Sequence, residues 1–167
     1  MKTATKRPPL EPALPYAVKL LATRSYTVRK LKDKLKIRGY LPDEIEQAIV
    51  KLQEKNLLND ERFAEGFVRT RLESHPRGRM ALARDLQARG VAGSLARSVA
   101  NAAVDNDQEF ELARELVERK SGQYAGLDKL TCRRRLTALL ARRGFRPDVI
   151  SKILALPPDE PPLEENA

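Results

Sequence analysis

The sequence predicts an all-α protein of three tandem three-helix repeats, with about nine helices in an elongated and curved array. Apolar residues recur at helical spacing through the interior, as at Val28, Leu31 and Leu35, whereas alternating strand patterns are almost absent. The same helical motif returns at a spacing of about fifty residues, which is typical of helical-repeat proteins. One repeat of that size buries too little apolar surface to be stable alone, so neighbouring repeats are expected to pack in series.

Three arginine–glycine pairs define the repeat, namely Arg38–Gly39, Arg89–Gly90 and Arg143–Gly144. Leucines stand four and eight residues before each glycine, at positions 31 and 35, 82 and 86, and 136 and 140. Glycine adopts the left-handed conformation that ends a helix, and the arginine beside it faces the negative end of the helix dipole. Each pair therefore predicts the end of one helix and a turn into the next.

Polar residues predict further helix starts along the chain. Thr27 is expected to cap the second helix, and Asn59, which is followed by two acidic residues, is expected to cap the fourth. Asp107 and Asp128 are the candidates for the starts of the seventh and eighth helices. Gly122 and Gly126 are expected to break the chain between those two helices.

Proline content separates two tails from the folded interior. Residues 1–15 and 157–167 hold eight of the eleven prolines, and the second of these segments is also acidic. Both tails are predicted to be flexible, because proline removes backbone hydrogen bonds from helices and sheets. The three repeats are then assigned to residues 16–59, 60–107 and 108–156.

The chain is strongly basic, with 32 lysines and arginines against 23 aspartates and glutamates, a net charge of +9 and a pI near 9.9. The first repeat carries ten basic and five acidic side chains, the second eight and seven, and the third eleven and six. Positive charge is thus concentrated in the two outer repeats. This distribution predicts an anionic partner, and it does not favour one uniform stripe for nucleic acid.

The composition excludes several functional classes. No stretch approaches the ~20 apolar residues of a membrane helix, and no apolar run follows the N-terminal cations as in a secretory signal. A single cysteine, Cys132, cannot form an internal disulfide, and one histidine leaves too few ligands for a Cys/His zinc cluster. The sequence also lacks the P-loop motif and the G-x-G-x-x-G motif. We therefore expect a cytoplasmic protein that is not an enzyme and needs no cofactor.

Basic clusters supply the candidate binding residues. Residues 28–38 hold six cations against one aspartate around a narrow apolar face, which is more charge than solubility requires. Contact with phosphates or with an acidic protein surface explains this excess, and a solvated helix face is the alternative. Arginine can hold either group with two parallel hydrogen bonds. The residues assigned to binding are Arg29, Lys30, Lys34 and Arg38 in the first repeat, Arg62, Arg69 and Arg71 in the second, and Arg133, Arg134 and Arg142 in the third.

The most specific string lies at residues 57–71, where LLNDERFA is followed by Arg69 and Arg71. A segment opened by Gly78 comes next and ends at Gly90, directly after an arginine. In order and spacing, these residues resemble the signature of the RecX family of bacterial recombination regulators. The resemblance covers residues 16–156 and agrees with the layout in three repeats.

This resemblance implies an interaction protein that regulates the RecA recombinase. Members of the family are expected to lie along the groove of the RecA–single-stranded DNA filament and to suppress its ATPase, strand-exchange and co-protease activities. The chain is accordingly expected to bind RecA and its filament as a monomer, with weak non-specific affinity for DNA, and to modulate DNA repair, recombination and the SOS response. The ten basic side chains named above are then expected to hold RecA carboxylates and filament phosphates.

Two alternatives stay open from the residues alone. Two helices around a glycine turn can imitate a helix-turn-helix, so a non-specific or helix-turn-helix-like DNA-binding protein is the first alternative. Against it, the predicted recognition helices, such as the one at residues 42–55, are not especially basic. A helical-repeat adaptor for a different acidic partner is the second alternative.

Overall fold

The computed structural model describes residues 10–155 of the 167-residue chain, and this part folds into nine α-helices without a β-strand. The helices are α1 (Ala13–Thr23), α2 (Val28–Arg38), α3 (Pro42–Glu54), α4 (Asp60–Ser74), α5 (Arg79–Ala88), α6 (Gly93–Ala103), α7 (Asn106–Tyr124), α8 (Lys129–Arg142) and α9 (Pro147–Ala155). The predicted all-α class with helical repeats is therefore confirmed. The elongation and curvature of the array stay predictions.

The helices pack as three units of three, each around its own apolar core. In the first unit (α1–α3), Leu31 and Leu52 are fully buried. The second unit (α4–α6) encloses Leu86, and the third unit (α7–α9) encloses Leu140 and Phe145. The most extensive helix contacts lie within these units. All six leucines that precede the repeat glycines are buried, so the repeated pattern marks the core.

Two segments begin earlier than the sequence predicts. α1 begins at Ala13, so the prediction of a flexible tail across residues 1–15 is wrong for its last three residues. Proline permits this start because Pro12 precedes the helix and Pro15 lies in its first turn, where backbone N–H groups have no intrahelical acceptor. α7 likewise begins at Asn106, two residues before the predicted third repeat. Residues 1–9 and 156–167, which hold most of both predicted tails, lie outside the described part of the chain.

Most predicted caps and turns are confirmed. The side chains of Thr27, Asn59 and Asp128 each accept a hydrogen bond from the backbone N–H three residues further on. The repeat glycines all adopt the left-handed conformation, with φ angles of 106°, 94° and 78° at Gly39, Gly90 and Gly144. These ends fix the length of the second helix in each unit.

The boundaries of α7 differ from the prediction at both ends. Asp105 caps the helix in place of Asp107, because Asp105 and Gln108 form a reciprocal capping box. The helix then continues through Gly122 to Tyr124, so the predicted break at Gly122 is wrong, whereas the predicted break at Gly126 is confirmed by the turn between α7 and α8. A glycine in a helix costs about 1 kcal/mol relative to alanine, and a helix of 19 residues tolerates that cost near its end.

The first junction joins the beginning of α2 to the second unit. The Thr27 hydroxyl donates a hydrogen bond to the Arg89 carbonyl at 2.6 Å, and the Val28 N–H donates to the Asp60 carboxylate at 2.8 Å. Gly90 lies so close that a Cβ atom there would stand 3.0 Å from the Thr27 hydroxyl oxygen. The beginning of α2 is therefore docked on the Gly90 turn and on the start of α4.

The second junction joins the beginning of α5 to the third unit in the same way. The Gly78 N–H donates to the Arg143 carbonyl at 3.0 Å, and the Met80 N–H donates to the Gly144 carbonyl at 3.1 Å. A Cβ atom on Gly144 would approach the backbone nitrogen of Ala81 to 2.2 Å. Only glycine fits the turn at this distance, so backbone packs directly on backbone.

A buried carboxylate completes the second junction. The Glu109 side chain is fully buried at the start of α7 and accepts from the Arg79 N–H at 3.2 Å. The Arg79 and Arg146 guanidiniums also donate to Glu109, with Nε–Oε2 distances of 2.9 and 3.0 Å. Both guanidiniums reach the Asn106 side-chain oxygen as well. Two cations from two units thus compensate the one buried anion, as a buried charge requires.

Candidate functional site

A cleft of about 430 Å³ lies between the first and second units, and we call it the α2–α4 cleft. Its basic lining residues are Arg24, Lys30, Lys34 and Arg89, and its aromatic lining residues are Tyr26 and Phe63. The Arg24 guanidinium lies 4.6 Å from the centroid of the Tyr26 ring. Four cations face a single lining carboxylate, that of Asp33. This combination of positive charge and aromatic surface suits an anionic ligand that also carries an apolar or planar part.

Arg89 also belongs to an arginine cluster in the second unit, which it forms with Arg71 and Arg77 around Asp85. Arg77 donates to the Asp85 carboxylate at 2.8 Å, and the Arg71 Nε lies 3.6 Å from the same oxygen. Arg89 donates to the Asp85 backbone carbonyl at 2.9 Å. The Arg89 and Arg71 guanidiniums lie 4.1 and 5.6 Å from the centroid of the Phe67 ring. Two guanidiniums thus face the Asp85 carboxylate and a third contacts its backbone carbonyl, which leaves an excess of positive charge beside the α2–α4 cleft.

Arg71 therefore has a structural contact as well as its predicted role in binding. Its Nε and that of Arg77 are buried without a hydrogen-bond acceptor among residues 10–155. The Arg71 side chain is still 37% exposed, so part of the guanidinium remains accessible. Loss of this side chain would affect both the packing around Asp85 and the surface charge.

Arg29 and Arg38 lie outside the α2–α4 cleft. Arg29 packs its Cβ atom near Gly90 and lines a separate cleft of about 760 Å³ together with Lys32 and Lys36. Arg38 is exposed at the C-terminal end of α2, where its guanidinium lies 5.5 Å from the centroid of the Tyr16 ring. The four candidate residues of the first unit therefore divide between two clefts and the end of the helix.

Arg62 and Arg69 lie on other parts of α4. The Arg62 guanidinium donates to the Asn56 carbonyl at 2.6 Å, which ties it to the turn between α3 and α4. Arg69 is exposed beside a groove between α4 and α6 that also holds Glu65 and Glu73. The three arginines that the sequence grouped on this helix are therefore not brought together.

The third unit presents its candidate residues on α8. Arg133, Arg134 and Arg142 are exposed, and none of them forms an ion pair within the described residues. At the start of α8, the Asp128 carboxylate accepts from the Thr131 N–H at 3.0 Å. This hydrogen bond holds the pKa of Asp128 below its ordinary value of 3.8, so the cap stays ionised at neutral pH. α8 therefore begins with an anion and carries its cations further along.

Sequence reasoning missed Arg24, Arg77 and Arg89 as members of the basic surface. The sequence did contain a signal for Arg24 and for Arg89. Arg24 and Arg71 occupy the same place in a repeated first-helix pattern, and Arg89 belongs to one of the arginine–glycine pairs. Arg77 has no repeated counterpart, so only the folded structure places it beside Asp85.

The arrangement can bind anions, but it offers no assembled metal site. Within residues 10–155, no group of three or more histidine, cysteine, aspartate or glutamate side chains could hold a metal ion. In the same part of the chain, no helix is both long enough and apolar enough to cross a membrane.

The fold defines a class of protein, namely a tandem array of three three-helix domains that carry exposed basic residues. Comparison with known protein families identifies the family within this class. Residues 13–52, 59–99 and 107–154 match the first, second and third three-helix domains of RecX, in that order. The chain belongs to the RecX family.

Individual relatives agree with this assignment. The chain is 37% identical over 139 residues to the regulatory protein RecX of Streptomyces lividans, an alignment that covers 83% of this chain and 73% of the relative. It is 36% identical over 159 residues to the regulatory protein RecX of Stenotrophomonas maltophilia, which covers 95% of both chains. The crystal structure of RecX from Lactobacillus salivarius is similar in fold, with a TM-score of 0.79 and 24% identity over 86% of this chain and 92% of that one. The family is thus one of regulatory proteins.

Proposed function

We propose that this protein inhibits the RecA recombinase by binding the RecA–single-stranded DNA filament in the cytoplasm. In this role it lowers the ATPase, strand-exchange and co-protease activities of RecA, and so modulates DNA repair, recombination and the SOS response. It acts as a monomer, by binding and without catalysis or a cofactor. Membership of a family of regulatory proteins supports the proposal.

One structural observation supports this function best: two exposed basic surfaces lie on different units that are joined through fixed junctions. Lys30 and Lys34 line the α2–α4 cleft near one end of the chain, while Arg133 and Arg134 are exposed on α8 near the other. The hydrogen bonds at both junctions hold the units in register. Separate cationic surfaces in a fixed relationship suit a repetitive anionic partner such as a protein–DNA filament.

The direct test is the single-stranded-DNA-dependent ATPase of RecA, titrated with this protein from far below to just above the RecA concentration. We expect inhibition well below one molecule per RecA, because a regulator bound sparsely along a filament affects many subunits. Inhibition only in stoichiometric excess, relieved by added DNA, would contradict the proposal.

Matched charge reversals locate the surface. The double variant Lys30→Glu/Lys34→Glu places two anions in the α2–α4 cleft and is expected to weaken inhibition about tenfold or more. The control is Lys51→Glu/Lys55→Glu, which makes the same change of net charge on exposed residues of α3 and the following turn, outside this cleft. Equal weakening by both variants would mean that net charge alone is responsible.

Direct binding of single-stranded DNA is a second candidate function, and the composition of the α2–α4 cleft favours it. The half-buried Phe63 of α4 and the edge of the largely buried Tyr26 line this cleft together with Lys30 and Lys34, although no aromatic residue interrupts the basic runs in the sequence. Aromatic rings between cations are typical of surfaces that bind single strands. Fluorescence anisotropy with a labelled oligonucleotide, in the absence of RecA, separates the two functions. A protein that acts by binding single-stranded DNA should bind the oligonucleotide tightly. An inhibitor of RecA should bind it only weakly and in a salt-sensitive way.

A further inference from the structure

A groove with an apolar floor and acidic walls extends across the second and third units. It consists of two clefts of about 530 and 660 Å³, one between α4 and α6 and one between these helices and α7. Leu72 and Ala103 line both clefts, so the two adjoin. No residue that lines them also lines the α2–α4 cleft. We call this separate surface the acidic groove.

Apolar side chains form the floor of the acidic groove. Val68 and Val99 are buried beneath the cleft between α4 and α6. Leu72 and Leu112 are half-buried, and each packs against the core of the second unit while it also lines the groove. Ala102 is exposed on the α6 side. Apolar surface that the chain's own helices leave partly uncovered is typical of sites that bind another protein.

Carboxylates dominate the walls of the acidic groove, although the chain as a whole has a net charge of +9. Seven acidic side chains line the groove against two basic ones, those of Arg69 and Arg114. The acidic residues are Glu61, Glu65 and Glu73 on α4 and Asp107, Glu111, Glu115 and Glu118 on α7. Walls of this charge repel phosphate groups, so the groove does not suit a nucleic acid. It suits a partner that carries cations.

Four of the seven carboxylates form no ion pair within residues 10–155, namely those of Glu61, Glu65, Glu73 and Asp107. Glu61 and Asp107 lie in the first turns of their helices, where the positive end of the helix dipole stabilises an anion. Glu73 lies at the other end of α4, where the dipole disfavours an anion. Arg69 stands four residues from both Glu65 and Glu73, yet it pairs with neither. A cation from outside the chain would compensate these two carboxylates.

The length of the groove suits a helix. Residues 61–73 of α4 form one wall and rise ~18 Å along the helix axis, which is also the length of a helix of about twelve residues. An amphipathic helix can place its apolar stripe on such a floor. The cations beside that stripe then reach the carboxylates of the wall. The apolar floor and the acidic walls therefore match the two faces of one basic helix.

The described part of this chain does not offer such a helix to a second copy. Both strongly basic helices, α2 and α8, carry an apolar stripe. The leucines of these stripes are buried within their own units, at Leu31, Leu35, Leu136 and Leu140. A second copy would therefore present cations without the apolar stripe that the floor requires. This mismatch favours a different protein as the occupant.

We propose that the acidic groove binds a basic amphipathic helix of a protein partner, a helix of about three turns with lysines or arginines beside an apolar stripe. The proposal goes beyond inhibition of RecA, because it assigns a second interaction surface with a charge opposite to that of the α2–α4 cleft. It rests on the continuous apolar floor, the excess of carboxylates and the lack of cationic partners for Glu65 and Glu73.

A basic amphipathic peptide tests the groove directly. The probe is a labelled synthetic peptide of residues 27–38 of this chain, whose apolar stripe is accessible outside the folded protein. A hydrocarbon bridge in place of the side chains of Asp33 and Ile37, opposite that stripe, holds it helical and keeps all six cations. The control peptide has glutamine at those six positions. In fluorescence anisotropy with the full-length protein, the probe is expected to bind at least about tenfold more tightly than the control.

Two neighbouring substitutions on α6 locate the binding surface. Ala102→Lys places a cation on the floor of the groove and is expected to weaken probe binding about tenfold. Asn101→Lys makes the same change of charge at an exposed residue that does not line the groove, and binding should stay within about twofold of the parent. Because both positions are exposed, both variants should keep the melting temperature of the parent.

The carboxylates are tested by a second matched pair of variants. Glu65→Gln/Glu73→Gln removes the two carboxylates that lack a compensating contact and is expected to weaken probe binding about fivefold. Asp43→Asn/Glu54→Gln makes the same change of net charge at exposed positions of α3, outside the groove, and should leave binding unchanged.

Four results would overturn the proposal. Equal binding of the two peptides would mean that charge does not select the occupant, and equal weakening by Ala102→Lys and Asn101→Lys would mean that the probe senses only net charge. A dimer in sedimentation that the probe dissociates would make a second copy the occupant. Tighter probe binding by Lys6→Gln/Arg7→Gln would make the chain's own basic N-terminal segment the occupant. RecA is absent from these measurements, so their failure is distinguishable from a failure of the proposed inhibition.

Discussion

Gly78 and Gly144 contact each other across the junction of the second and third units. The Gly78 N–H donates to the carbonyl just before Gly144, and a Cβ atom on Gly78 would lie 2.2 Å from the Gly144 carbonyl oxygen. The two units are therefore joined by direct backbone contact, which leaves no room for even a methyl group. Because backbone atoms cannot rotate away as a side chain can, this contact fixes the distance between the units.

Gly78→Ala should destabilise the protein by about 2 kcal/mol or more, because the added methyl group meets backbone atoms on the other unit. Its φ angle of −78° suits alanine, so the cost is steric. Gly66→Ala is the matched control, since a Cβ there meets nothing within 4 Å and lies within α4. That variant should gain about 0.5–1 kcal/mol through helix propensity. Urea unfolding measures both, and a loss of equal size in both variants would refute the steric explanation.

Glu109→Gln should cost about 2–4 kcal/mol, because it leaves two guanidiniums without their buried carboxylate. The control, Glu111→Gln, removes an exposed carboxylate that pairs with Arg114 one turn along the same helix. Exposed pairs contribute little, so this variant should stay within about 0.5 kcal/mol of the parent. Chemical denaturation gives both values. Similar midpoints for the two variants would show that the Glu109 network adds little stability.

The sequence assigned both Arg71 and Arg69 to binding. Single alanine variants should separate a role in stability, at Arg71, from a role in binding, at Arg69. Arg71 contacts Asp85 and Phe67, so its loss should lower stability by about 1–2 kcal/mol. Arg69 is exposed, and its loss should change stability by less than about 0.5 kcal/mol. Thermal unfolding by circular dichroism measures the difference. If Arg69→Ala weakens RecA inhibition at unchanged melting temperature, its predicted role in binding holds; unchanged inhibition removes Arg69 from the binding surface.

Tyr40 should make stability depend on pH in the alkaline range. Burial raises the pKa of Tyr40 above its ordinary value of 10.0, and the negative charge of Glu11 raises it further. A raised pKa means that the folded state binds this proton more tightly than the unfolded state does. The contribution is therefore fully present below pH 10 and is lost as the pH rises through the folded-state pKa. Tyr40→Phe should flatten this loss in urea unfolding above pH 10; an unchanged slope would contradict the assignment.

The repeated fold was predictable because its signals are local. A glycine that ends a helix and leucines one and two turns before it need no information about the rest of the chain, and both predictions hold at Gly39, Gly90 and Gly144. The prediction at Gly122 failed because glycine near a helix end has only a small cost, which the surrounding turns outweigh. A glycine alone therefore does not fix the last residue of a helix, whereas a glycine that follows the repeated leucine pattern does.

The candidate site was less predictable, because its grouping depends on tertiary packing. Glu109 is one of four glutamates on α7, and only the junction with the second unit makes it the buried one. Likewise, Arg71 meets Asp85 from another helix, and Arg62 turns back to Asn56. The sequence identified which residue types form the surface, whereas long-range contacts decide which of them lie together.

The junctions also give the array a direction. Each junction joins the start of a helix in one unit to a turn in the next unit, so the two ends of the array differ in structure. In the first unit no described atom packs within 4 Å of a Cβ on Gly39, whereas in the third unit the second helix begins behind the anion of Asp128. An array with two different ends has one preferred orientation along a directional partner, such as a nucleic-acid strand with a 5′ and a 3′ end. Polarity of binding would then be encoded in backbone geometry rather than in any single side chain.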